Sequence, residues 1–390
     1  DTGATDCTAI LGQWLNTVPN GASTTAHSRV RPRTSTSTYL INGNITNGPT
    51  GFQLKGTPGA KRQHITFWGE GKWANFPITS TTAADATQKA AVRAAYAAFN
   101  RDTAWTMGAT IIRRGGGSSA WNSLFFTENC ADIQICGWNI DGENTQIGVQ
   151  GTSGQLTSGL PYEHTMAWHT RSGSSDVRFH DNRVLRWTGF VHLENNLGTG
   201  AVSPIGSKVY RNYLEGGEMG LSPVDTLGYE AYHNIMSETS LYTFDIEAES
   251  ESTQCNDIYI HHNITDGWGI AHWYSTNWWL AANGAGTTGI NKPVLRLTVT
   301  DNYVKRGQVR GSLLNGASNK GGLSFRANKV NPKTNWVISR NYTDWEDRQV
   351  NTSGFAYNFF AVASDFTYTD NDIPILDDTL PLFNNRRDDN

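Results

Sequence analysis

Hydrophobic residues in this chain alternate with polar ones over short stretches, and asparagine closes many of those stretches. Val177 and Phe179 alternate with Arg178 and His180 before Asn182; Ile258 and Ile260 alternate with Tyr259 and His261 before Asn263. The same design recurs ahead of Asn212, Asn234, Asn302, Asn328, Asn341 and Asn371, while residues 64–69 and 132–139 read as degenerate copies. Period-two alternation puts one set of side chains on each face of a strand. Successive asparagines lie 30, 22, 29, 39, 26, 13 and 30 residues apart. Most of these intervals suit one solenoid coil, some with an inserted loop. The step of 13 is too short for a coil, so Asn328 or Asn341 is out of phase.

A single such strand cannot bury its apolar face, whereas stacked coils at ~4.8 Å form a continuous interior and pair every backbone group. Asparagine suits the bend, because it tolerates the left-handed conformation and its amide bonds neighbouring backbone. In register, these side chains would form a hydrogen-bonded ladder. A β-sandwich would need tight hairpin signals between strands, and those are few. The pattern therefore predicts an all-β chain, a single-stranded right-handed parallel β-helix that forms one domain over residues 1–390. Residues 1–60 read as an N-terminal cap and the first coils. Within them, residues 5–15 form an amphipathic capping helix with Thr5 or Asp6 as its cap and Ile10, Leu11, Trp14 and Leu15 on one face. An Ala-rich helix over 83–99, within an insertion spanning 83–107, interrupts the early coils, and residues 377–390 form a tail.

Composition narrows the partners. Charged residues are 17%, against 40 Gly, 14 Trp, 14 Tyr and 15 Phe, which suits a turn-rich protein meeting neutral polar ligands. With net charge −4 and no basic stripe, nucleic acid is a poor partner. No apolar run approaches the ~18 residues of a membrane span. Cys130 and Cys136, in one strand, would sit roughly 20 Å apart, beyond disulfide reach. Cys7, Cys130, Cys136 and Cys255 thus read as buried small hydrophobes.

A further strand beyond the Asn turn carries the candidate chemistry. With Val191 and Leu193 inward, His192 and Glu194 point out; with Phe244 and Ile246 inward, Asp245 and Glu247 point out. Glu218 lies in the coil between, and residues 268–274 follow in the next. Asp245 and Glu247 would be ~6.5–7 Å apart, and Glu194 near ~9.6 Å from Asp245, spacings that fit inverting better than retaining glycoside hydrolysis. Asp245, Glu247, Glu194 and His192 are the candidate catalytic residues. The same carboxylates equally suit a solvated face, and with Glu249 a Ca²⁺ ion, although no cofactor is required. Glu218, His272, Trp273, Tyr274, Trp278 and Trp279 are candidate sugar contacts, since aromatic faces stack on sugar C–H faces. A hydrolase, a non-catalytic binding module and, last, a polysaccharide lyase all remain open.

The opening Asp1-Thr-Gly-Ala-Thr-Asp-Cys-Thr-Ala-Ile-Leu11, followed by Tyr39-Leu-Ile-Asn-Gly43 and Gly51-Phe-Gln-Leu-Lys-Gly56, resembles the start of the pectate-lyase-like superfamily. More narrowly, it resembles the bacteriophage tailspike and tail-fibre branch. The resemblance implies a parallel β-helix that recognises bacterial surface polysaccharide, extracellular or on a virion, often as a homotrimer. The segment 31–38 lacks the Pro-x-Gly usual before the first strand, and the vWiDH and RxPxxR patterns of pectate lyases are missing.

Overall fold

The computed structural model describes residues 2–7, 17–41, 52–77, 86–113, 123–142, 166–187, 191–195, 202–244, 246, 255–267, 271–274, 295–307, 323–326, 335–343, 357–360 and 367–369. Ten short strands stack in chain order into one parallel sheet, from Ser28–Val30 through Ser175–His180 and Tyr259–His261 to Thr367–Thr369. This ladder sheet holds the strands that precede the Asn turns. The chain then bends into a second sheet (Asn139–Asp141, Arg183–Leu185, Ile264–Gly267) and on into a third (Ser123–Glu128, Met166–Arg171, His192–Glu194). Tyr213–Pro223 and Ile235–Phe244 run through both, so the second and third sheets join into 14 strands. The third continues as Ala271–Tyr274, Leu323–Arg326 and Tyr357–Phe360. The molecule is a right-handed parallel β-helix, the hand that parallel crossovers take almost without exception.

The core is the inside of this prism. Inward columns such as Ile135, Phe179, Val209, Ala231, Ile260 and Val299 are fully buried and in register. All four cysteines are buried free thiols, and Cys130–Cys136 is one strand.

The asparagine ladder is real. Asn182, Asn212, Asn234, Asn263, Asn302 and Asn341 are buried, and the Nδ2 of each donates to the Oδ1 of the next at 2.9–3.2 Å. Each Nδ2 also donates to a carbonyl of the preceding coil, as Asn234 does to Val209. Asn341 holds the phase. Asn328 lies outside the described residues, just after a strand of the third sheet. In the coil before Asn182 the ladder position belongs to Trp138, whose N–H donates to Asn182 Oδ1, while Asn139 begins the next strand. The left-handed residue is not the asparagine. It is the one before it: Asp181, Arg211, His233, His262, Asp301 and Arg340 all have φ of 52–59°.

Two expectations need correction or restriction. Thr5 and Asp6 close the strand Thr2–Asp6, and residues 8–16, over which the amphipathic capping helix is expected, lie outside the described residues. The Ala-rich segment forms a helix over Ala86–Ala98, followed by a short helix, Arg101–Ala104, with Asn100 as its N-cap. This insertion covers the outside of the second sheet. Trp73, Phe76 and Phe99 pack with Tyr213, Leu185 and Ile235, and Arg101 and Asp102 pair with Glu215 and Arg183.

Candidate functional site

The third sheet does not present His192 and Glu194 outward. His192 is 1% exposed and Glu194 0%. Phe244 pairs with Leu221 and Leu221 with His192, so His192 shares the inward column of Phe244. Val191 precedes the strand rather than starting it, and a one-residue slip exchanges the two faces. What tolerates these groups inside is a polar seam. Trp168 Nε1–H donates to Thr127 Oγ1 and Thr127 to Thr170, at 3.2 and 3.1 Å. Thr170 lies 3.3 Å from His192 Nε2, and His192 Nδ1 lies 3.2 Å from the Tyr229 hydroxyl. Burial holds the imidazole neutral, its pKa lowered to about 3.

Glu194 Oε1 accepts from the Ser207 hydroxyl at 2.6 Å, while its Oε2 is buried without a hydrogen bond. Desolvation raises its pKa to about 7, opposed by the hydroxyls of Ser207 and Thr226. Sealed in the interior, neither residue reaches a polymer on the surface. Phe244 and Ile246 are in the core as expected. Asp245, Glu247, Glu249, Trp278 and Trp279 lie outside the described residues, and so do the side chains of Glu218, His272, Trp273 and Tyr274, whose backbones sit in strands.

On the outside of the third sheet, Phe126, His169 and Leu193 are also buried. The outer face of the second carries buried Leu185, Tyr213, Ile235, Ile264 and Tyr303. A pocket of about 370 Å³ opens beside the insertion between Phe99, Asn100, Asp102 and Tyr213, but its charged groups are already paired with the second sheet.

The ladder sheet differs. Its outer column of His180, Tyr210, Tyr232 and His261 is half-buried, and the rings stack face to face at 4.6, 4.9 and 5.1 Å, tilted by 10° at most. Stacking hides the ring faces, and the imidazoles at its ends are tied to neighbours: His180 Nδ1 lies 2.8 Å from Asp181, with its Nε2 buried, and His261 Nδ1 lies 2.8 Å from His262. A parallel column runs Arg178, Lys208, Glu230, Tyr259. Glu230 accepts from Lys208 at 2.6 Å and from His261 Nε2 at 3.2 Å; those bonds, that to His261 foremost, lower its pKa to about 2. Along one edge the left-handed residues add Asp181, paired with Arg211 at 2.9 Å, then His233 and His262. Sequence reasoning missed this face, although its signal was present: an aromatic or imidazole side chain stands two positions before each of four successive ladder asparagines.

No protein-family model matches the sequence, and no curated protein matches it. Solved structures of similar fold do exist. The polygalacturonase from Erwinia carotovora ssp. carotovora is 11% identical, covers 95% of this chain and 90% of its own, and has a TM-score of 0.48. The A-module of Azotobacter vinelandii mannuronan C-5 epimerase AlgE4 is also 11% identical, with 95% and 92% covered and a TM-score of 0.46. ORF18 of Geobacillus virus E2 is 11% identical over 95% of this chain but 57% of its own, at a TM-score of 0.38. The likeness is one of fold.

Proposed function

We propose that this chain binds a bacterial surface polysaccharide along the outer face of its ladder sheet. The observation that carries this is the stacked row itself: among the described residues, the outer face of the ladder sheet carries a continuous line of half-buried phenol and imidazole rings beside ammonium and carboxylate groups, whereas the outer faces of the other two sheets set buried side chains such as Phe126, Leu193, Leu185 and Ile235 among paired charges. One stacked ring per coil, repeating at the ~4.8 Å stacking distance, matches an elongated ligand better than a compact one. Nearly balanced charge along the row suits a neutral or weakly charged glycan. Retention by a panel of purified capsular and cell-wall polysaccharides is the test. Wild type should be retained by at least one, and Tyr210→Ala with Tyr232→Ala should weaken that retention about tenfold, the cost of roughly 1.4 kcal/mol. Equal retention of both proteins would refute the face, and no retention of wild type by any glycan would refute the function.

A hydrolytic reading rests on Asp245 and Glu247, which alternate in sequence with the core residues Phe244 and Ile246. We extend the proposal to inverting cleavage by that pair. Release of reducing ends by wild type but not by Asp245→Asn or Glu247→Gln would support it; a binder that releases none would leave a pure binding module. An extracellular or virion setting and a homotrimer complete the proposal, with light scattering on the purified chain as the check on oligomeric state.

A further inference from the structure

We propose that His27, His64 and Asp132 form a site for a divalent cation of the zinc class, which clamps the first three coils of the ladder sheet together. His27 precedes the strand Ser28–Val30, His64 lies in Arg62–Trp68 and Asp132 in Cys130–Cys136, three successive members of that sheet. His64 and Asp132 both take the left-handed step, with φ of 54° and 52°. That step recurs at Asp176, Asp257 and Arg296, so it belongs to the fold; here it brings metal-ligating side chains together on neighbouring coils.

The ligand atoms converge. His27 Nε2 and His64 Nδ1 each lie 2.8 Å from Asp132 Oδ2, and all three atoms lie within 4.8 Å of one another. Two imidazole nitrogens and one carboxylate oxygen are a borderline-soft donor set that suits Zn²⁺ at ~2.0–2.2 Å, with one position left for water. Opening the cluster by a few tenths of an ångström would admit the ion. Thr66 Oγ1, 2.9 Å from His27 Nδ1, is the outer partner that would fix this imidazole once Nε2 is committed to a metal. Asp132 Oδ1 is buried with no hydrogen bond, its nearest cation being Arg178 Nη2 at 3.6 Å. Arg178 also reaches Asp176 at 3.4 Å, so it has a carboxylate to keep when a metal takes Asp132. Side chains 5–18% exposed leave the ion a short entry path.

Protein dialysed against a chelator is titrated with Zn²⁺ alone by calorimetry. We expect one tight equivalent, an affinity at least tenfold weaker in the His27→Gln/His64→Gln double variant, and a rise in Tm with Zn²⁺ in wild type that the variant lacks. Absence of stoichiometric binding would overturn the proposal, as would undiminished binding in that variant or loss of binding in His261→Gln instead. Should the double variant fail to fold, Co²⁺ bound to wild type decides. Strong visible absorption from a tetrahedral site supports the assignment, and the weak absorption of an octahedral site overturns it.

Discussion

Glu194 is a carboxyl held inside a β-helix by one hydroxyl, that of Ser207, and its proton is the cheapest way to keep it there. Its folded pKa of about 7 lies above the ordinary 4.5, so the native state holds the proton longer than the unfolded one. That stabilisation is complete below about pH 4.5 and is lost as pH rises through about 7, a change of roughly 3 kcal/mol across the window. His169 and His192 act in the opposite sense. Burial lowers them to about 4 and about 3 from 6.5, so their contribution is present above about pH 6.5 and falls away as pH drops toward those values. Two histidines outweigh one carboxyl, so stability should rise from about pH 5 and level off at about pH 7. In Glu194→Gln, which still accepts from Ser207, the opposing contribution is gone, so the rise from pH 5 to pH 8 should be larger than in wild type by about 2–3 kcal/mol. Urea midpoints at pH 5 and pH 8 for both proteins check this; an equal rise in both would show that Glu194 does not take up its proton in this window.

The element that organises the coils is the Asn turn. Each coil makes its corner with a left-handed residue, and a backbone bent that way exposes N–H and carbonyl groups that no strand can pair. The asparagine amide supplies both missing partners. Asn234 accepts from the N–H and Nδ2 of Asn212 and donates to Val209 and Asn263. Asn234→Ala would leave several of these groups buried and unpaired, at about 1–3 kcal/mol each. We expect a total loss of about 3–5 kcal/mol, larger than Lys208→Ala on the exposed face, where about 0–1 kcal/mol is expected. Chemical denaturation of the two variants makes the comparison, and equal losses would remove the ladder as the organising feature.

At the scale of the molecule, the three outer faces divide the work. The insertion turns the outside of the second sheet into a small second core, in which the Trp73 ring meets Phe76, Phe99, Trp105 and Tyr213 at 4.6–6.0 Å. Trp73→Ala should cost about 3–5 kcal/mol and uncover apolar surface over Tyr213 and Ile235. Dye binding by the folded variant, with glycan retention by the ladder sheet unchanged, would show that the covered face is structural. A parallel loss of retention would mean that the two faces are coupled.

Alternation, asparagine spacing and the Ala-rich segment made the β-helix, its ladder and its helical insertion legible in the sequence, because all three are periodic and each period has one physical origin. Residues 176–182 or 257–263 announce inward and outward positions without help from the rest of the chain. The facing of His192 and Glu194 was not legible. A three-residue strand carries no period of its own, and only its pairing with Trp168–Thr170 and Leu221–Pro223 decides which side is in. The meeting of His27, His64 and Asp132 was hidden for a similar reason: residues 37 to 105 positions apart become neighbours only when coils stack. Sequence determined the coil; stacking decided which of its side chains meet, and which face was left open to water.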